Sequence, residues 1–261
     1  MTVISAEGYM IFLATLIAWI TIQQNDNPTQ AVNPTAKSVI EKFIAAKGGD
    51  SALRKTKDCT ITGKVFSNNK IVGELETYHA ANRYLSIHRF PDGTTRRHGT
   101  DGKLAWRIDV HGNPSLLKGQ EARDFIRHNS TMHESLEWTK QFDTILYAGK
   151  KTVQDDVTHH LIFVAADKRQ INRYFSVKTG LLIREEHVIG TGENIQMMVS
   201  EIGNYFRDIN GIMVSRQRVN HFGSAYSIEF KIESIKSNTL ADSTVFTIPD
   251  SVAELIGKNA E

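Results

Sequence analysis

The sequence predicts a mainly β fold (α+β): one strongly curved antiparallel sheet of about 11–12 strands, with a few helices covering its concave side. Three observations predict it. From Asp58 onward apolar and polar residues alternate with period two through most of the chain. Short turn signals such as NN, PDG, KTG and DING join these runs, so neighbours in sequence become antiparallel neighbours in space. Helical spacing of apolar residues occurs only before the first run, once midway and at the C-terminus.

The elements follow in order. In PTAKSVIEKFIAAKGG, Thr35 is the expected N-cap, Val39, Ile40, Phe43 and Ile44 make one apolar stripe, and Gly48-Gly49 ends the helix. Ser51 to Lys55 adds one further turn. In CTITGKV, Cys59, Ile61 and Val65 face one way while Thr60, Thr62 and Lys64 face the other. A first strand is expected from Asp58, and others at about 70–79, 83–90, 94–99 and 103–110. A helical stretch spans 120–142, with Asn129-Ser130 marking a break into two helices. Strands resume at 144–154, 157–166, 171–178, 181–189, 195–207, 212–222 and 225–237. TVFTIP and SVAELIG close the chain with an extended piece and a short helix. A sheet of this many strands does not stay flat, and its curling creates an interior that side chains or a ligand must fill.

The first 33 residues are a different material. Tyr9 to Ile22 carries no charge, and a helix over it would cover about 21 Å of the ~30 Å hydrocarbon core. That length suits an export signal. MTVISAEG before it carries Glu7 and no Lys or Arg, and no small-x-small cleavage site precedes Asn25. Residues 1–33 are therefore read either as a signal peptide or as an N-terminal anchor that tethers the protein through residues 9–22, followed by a linker. Residues 34–261 are read as a single domain.

Composition narrows function by exclusion. Among 261 residues, 31 Lys plus Arg stand against 29 Asp plus Glu, and this near balance provides no electrostatic footprint for nucleic acid. The lone Cys59 excludes an intramolecular disulfide and a cysteine-rich zinc site, and its place on an apolar strand face reads as a small buried hydrophobe. HESLE places His133, Glu134 and Glu137 on a helix but lacks the second histidine of a zinc-protease motif. His159 and His160, adjacent in a strand, point to opposite faces and cannot share a metal. Asp124 and His128 read as a helix-surface pair, and Arg96-Arg97-His98 as a solvated edge. No G-x-S-x-G elbow, dinucleotide loop or Walker loop occurs. The expectation is no catalytic residue, no cofactor and no metal.

What remains is the interior. Leu104, Trp106 and Ile108 share one strand face, and Tyr84, Leu146, Phe163, Met198 and Phe230 lie in other strands. With Trp138 from the helical insert they are the expected hydrophobic lining of a ligand cavity. Aromatic rings and thioethers, including the Met197-Met198 pair, adapt to flexible acyl chains. The alternative is that all of them pack as a closed core.

The order of motifs adds a resemblance. KGGDSALRK, CTITGKV and GTDGKLAWRID, a helical insert, YFSVKTGLLIREE, NYFRDINGIMVSRQ and the closing IKSNTLADSTVFTIP together resemble the LolA-like outer-membrane lipoprotein-sorting family over residues 35–250. The resemblance implies an unclosed β-barrel with helices in its concavity, a periplasmic or otherwise exported location, and a non-enzymatic carrier that shields lipid or lipoprotein acyl chains as a monomer. Trp106, in GKLAW, is the best single match to a cavity-facing residue. The rival expectation is an envelope sensor or scaffold that holds a protein partner against the same curved sheet.

Overall fold

The computed structural model describes residues 34–129, 134–190, 195–224, 226–240 and 243–258. The segment read as a signal or anchor, together with Met132 and His133, lies outside the described residues. Helix α1 (Pro34–Lys47) and the short α2 (Asp50–Lys55) precede a sheet whose first half is β1 (Asp58–Ser67), β2 (Lys70–Ala80), β3 (Arg83–Arg89), β4 (Thr95–Thr100), β5 (Ala105–Ile108) and β6 (Pro114–Leu116). Helices α3 (Gly119–Asn129) and α4 (Glu134–Gln141) follow. The second half is β7 (Thr144–Val153), β8 (Asp156–Val164), β9 (Gln170–Ser176), β10 (Leu182–Ile189), β11 (Gln196–Arg207), β12 (Met213–Phe222) and β13 (Tyr226–Ser237), before α5 (Asp250–Lys258).

All 13 strands form one antiparallel sheet in the order β6-β5-β4-β3-β2-β1-β13-β12-β11-β10-β9-β8-β7. Each half is a meander, and the halves are joined where β1 pairs with β13, Cys59 opposite Ser237. The sheet does not close, so β6 and β7 are its free edges. The chain crosses from one edge to the other through α3 and α4, which places the helical insert over the opening. Both edges discourage further pairing: β6 is three residues long and opens with Pro114, while β7 carries a register shift between Tyr147 and Lys150.

Directly paired residues on antiparallel strands share a face, so the register sorts every side chain. The inner face packs against α1 and α4 in one core: Val39, Ile40 and Phe43 from α1, Trp138 and Phe142 from α4, and Ile145, Leu161, Phe163, Ile171 and Phe175 from the sheet. Phe43 stacks on Trp138 with centroids 5.4 Å apart, and Trp138 meets Phe163 edge-on at 5.0 Å. Gly48 ends α1 at φ 128°, where a Cβ would lie 2.9 Å from the Gly211 carbonyl oxygen. Only glycine lets the helix end rest on the β11–β12 turn.

A second core lies on the outer face of the first half-sheet. Leu85 and Trp106, with Tyr78, Ile87, Ile108 and Leu116 around them, pack against Val252 of α5 and against Val245, Phe246 and Ile248 before it. The Arg83 guanidinium stands 4.7 Å above the Phe246 ring and helps hold that segment down. Gly99 faces Trp106 across the β4–β5 ladder, and a Cβ there would meet the indole at 2.3 Å. The indole therefore lies flat over a bare backbone.

Candidate functional site

Two cavities open on the inner face. The larger, about 600 Å³, is bounded by α3, by the β9–β10 hairpin (Ile171, Glu185, His187, Val188), and by His98, Arg107, Met198 and Arg218. The smaller, about 320 Å³, lies beneath α1, α2 and α4, among Phe43, Leu53, Ile61, Trp138, Leu182, Ile212, Val214 and Ile235, with Lys47, Cys59 and Asp208. His128, Glu185 and Arg218 line both, so the cavities meet at this polar trio. The volumes fall within or near the range of small-molecule sites, roughly 300–1,000 Å³.

Helix α3 roofs the larger cavity and buries no residue fully. Polar links hold it from both sides. Glu121 pairs with Arg107 of β5 at 3.5 Å. Toward the β8–β9 turn, Asp124 accepts from Arg169 at 2.5 Å, Arg127 pairs with Asp167 at 3.6 Å, and Gln120 donates to Asp167. Phe125 sets its ring edge-on to Tyr84 at 5.9 Å, the main apolar seat of the helix. Part-exposed ion pairs contribute about 0–1 kcal/mol each, so this roof is oriented firmly but not welded shut.

Beneath it lies a buried ion pair. Arg173 is 1% and Glu185 5% exposed. Arg173 Nε donates to Glu185 Oε2 at 2.8 Å, and its guanidinium is walled by Phe163 and Trp138 at 4.6 and 4.7 Å and by Phe142 at 5.7 Å. Burial alone would raise the Glu185 carboxyl, but Arg173, Arg218, His187 and His128 together hold it far below the usual carboxylate range. The His187 ring stacks on His128 with centroids 5.3 Å apart. Burial pushes His187 down to about 4 despite Glu185 beside it. His98 is likewise lowered to about 4, by burial and by Arg96 and Arg107. Both imidazoles are neutral at pH 7. In the smaller cavity burial drives the Cys59 thiol up to about 12, which keeps it protonated and a poor nucleophile. Among the described residues no group of three His, Cys, Asp or Glu is placed to hold a metal ion.

The residues expected from the sequence are divided by the two faces. Met198 lines the larger cavity and Trp138 the smaller. Tyr84, Phe163 and Phe230 also face inward: Tyr84 against Phe125, Phe163 in the α1–α4 core, and Phe230 opposite Arg218 on the β12–β13 ladder. Four expectations are corrected. Trp106 and Ile108 belong to the outer core under α5, and neither lines a cavity. Leu104 precedes β5 and is 36% exposed. Leu146 pairs with Ile162 on the face opposite Ile145 and Phe163. The physical reason is that α5 covers the outer face, so apolar residues are buried on both sides of the sheet and alternation does not say which side holds the ligand space. The pairing of Asp124 with His128 is also replaced: Asp124 bonds Arg127 and Arg169, and His128 stacks on His187. His98, placed on a solvated edge by the sequence, lines the larger cavity.

The polar wall was missed: His98, Arg107, Asp124, Arg173, Glu185, His187 and Arg218. One signal was present. Arg173 and Glu185 flank the turn of the YFSVKTGLLIREE hairpin symmetrically, so its pairing sets them side by side.

The fold is an unclosed β-sheet with α3 and α4 across its opening and two cavities behind them. Among solved structures it is similar to a LolA superfamily protein from Nitrosomonas europaea, with a TM-score of 0.56 and 12% identity over 82% of this chain and 97% of that one. It is also similar to an outer membrane lipoprotein-sorting protein domain from Vibrio parahaemolyticus, with a TM-score of 0.54 and 10% identity over 80% and 97%. A DUF1329 family protein from Desulfovibrio piger gives 0.54 and 10% over 80% and 96%. The chain therefore has a LolA-like fold. No family model matches the sequence, and no curated protein matches it.

Proposed function

We propose that this protein is an exported, non-enzymatic carrier that shields the acyl chain of a lipid or lipoprotein from water inside its half-barrel. The observation that carries this reading is the pair of adjoining cavities behind α3 and α4, large enough for a ligand and roofed by a helix that polar links hold. Transfer of hydrocarbon from water is worth about 0.8 kcal/mol per CH₂, so eight buried methylenes supply ~6 kcal/mol before the costs of association. The apolar stretches of both cavities suit that task, and the shape of the fold, shared with lipoprotein-sorting domains, supports it. The walls of both cavities also carry charged groups, which suits a ligand with a polar end.

The test is native mass spectrometry of the full chain after gentle purification and after incubation with lipid extract. Retained lipid, displaced by added long-chain lipid, is the expected result. A protein that neither arrives with lipid nor takes any up refutes the carrier reading.

A second reading, an envelope module that binds a protein partner, draws on exposed apolar side chains at one end of the sheet. Ile71, Ile195, Met197 and Tyr226 sit at the β1–β2, β10–β11 and β12–β13 turns. Capture of a protein by the lipid-free chain, abolished by Met197→Asp and Tyr226→Asp, would favour it.

A further inference from the structure

Resting on the carrier reading, we propose that the ligand is an acidic single-chain amphiphile. Its carboxylate or phosphate head pairs with Arg218 where the two cavities meet, and its tail occupies the smaller cavity.

The charge inventory of the wall leads there. Four arginines and three carboxylates line the larger cavity. Arg107 is paired with Glu121, and Arg127 and Arg169 with Asp124. The third carboxylate, Glu185, is bonded by Arg173, which belongs to the smaller cavity's wall. Arg218 forms no hydrogen bond among the described residues, and its charge acts on Glu185 together with that of Arg173, so two guanidiniums face one carboxylate here. Its ladder partners on both sides are apolar, Ile202 on β11 and Phe230 on β13. Two guanidiniums against one carboxylate leave a surplus of positive charge, and a concave, low-dielectric wall focuses it into the space that Arg218 faces. A guanidinium also offers the planar fork that carboxylates and phosphates fit.

Two further features agree. Nε2 of His98, in the wall of the larger cavity, is buried without a hydrogen-bond partner among the described residues and offers a second polar contact to a head group. Ile61, Ile212, Val214 and Ile235 give the smaller cavity an apolar stretch, beside Lys47, Asp208 and Arg173. At about 320 Å³ it suits one chain rather than several. Arg218 stands where the two cavities meet, within reach of that apolar stretch.

The experiment displaces a neutral fluorophore, N-phenyl-1-naphthylamine, from the full chain with hexadecanoate, hexadecyl phosphate, hexadecanol and inorganic phosphate. The two acidic amphiphiles should compete at about 10-fold lower concentration than hexadecanol, the size of a charge-assisted hydrogen bond. Arg218→Gln should erase that ratio while leaving hexadecanol unchanged, and Arg218→Lys should keep part of it, which controls for folding. Equal competition by hexadecanoate and hexadecanol overturns the acidic head and leaves the carrier reading standing. Displacement by inorganic phosphate as potent as by hexadecyl phosphate shows a free-anion site and also overturns the proposal. If no amphiphile binds by displacement or by mass spectrometry, the carrier reading falls and this inference falls with it.

Discussion

Glu185→Gln removes one charge and almost no volume from the most buried ion pair of the structure. Arg173 would then keep a guanidinium 1% exposed, walled by three aromatic rings, without the carboxylate that accepts from its Nε. Breaking a buried pair from one side costs about 3–5 kcal/mol, because the remaining charge stays desolvated. For a folded unit of this size each kcal/mol moves the melting temperature by roughly 2–4 °C, so a fall of about 6–20 °C is expected. Urea unfolding and calorimetry at pH 7 measure both quantities. Replacing the pair together, Arg173→Met with Glu185→Gln, should recover much of the loss, since apolar substitutes of similar volume are often neutral. The double-mutant cycle should therefore show a coupling of at least about 2 kcal/mol. The pair also has an acid signature. Glu185 is held below its unfolded value of roughly 4.3, so its contribution is complete above that pH and fades as the pH falls toward the folded value. The gap between wild type and Glu185→Gln should narrow below about pH 4.3. A loss under 1 kcal/mol at pH 7, or additive single and double variants, would refute the buried-pair account.

Three other outcomes follow from the packing. His98 and His187 titrate near 4 in the fold against roughly 6.5 unfolded, so the unfolded chain binds more protons between those values. Stability should fall as pH drops from 6.5 to 4, by up to about 1.4 kcal/mol per pH unit for each histidine, and His187→Asn should flatten the slope in urea titrations. Trp106→Ala should cost about 3–5 kcal/mol and Gly99→Ala about 1–3, the first by emptying the outer core and the second by forcing the indole off β4. Neither should change which amphiphiles bind; a selective loss of lipid retention by folded Trp106→Ala would return that ring to the site. Asp124→Asn weakens the link from α3 to Arg169 and should cost about 1 kcal/mol or less of global stability. Amide exchange should accelerate selectively over 119–129, and uniform exchange would show that the helix is held by other means.

The strands were legible because their alternation is local chemistry. Ile228, Phe230 and Ile232 alternating with Glu229, Lys231 and Glu233 predict β13 from the residues alone. β6 was not legible: three residues beginning with proline carry no period, and Pro114 is tolerated because β6 is an edge. The candidate site was half legible. Met198 and Trp138 are large side chains on amphipathic elements and line the cavities, whereas Trp106 and Ile108 lie outward because the sheet has a second covered face. Phe246, Ile248 and Val252, far later in the chain, decide their side. The polar wall was hidden for the same reason in reverse. Arg107, Arg173, Glu185 and Arg218 occupy the alternate positions that a one-sided sheet would give to water, and only the three-dimensional pairing shows them facing α3 and one another.

The junction of β1 with β13 sets the order in which this shell can be completed. Lys57 N donates to Asn238 Oδ1 across 181 residues, and Cys59 sits opposite Ser237. Every other ladder joins strands that follow one another in the chain, and hairpins assemble locally. Ribosomal synthesis must therefore reach β13, the last strand, before β1 finds its second neighbour. Until then each half presents an uncapped strand at the seam, which makes a truncated or stalled chain a candidate for exchange of halves between molecules.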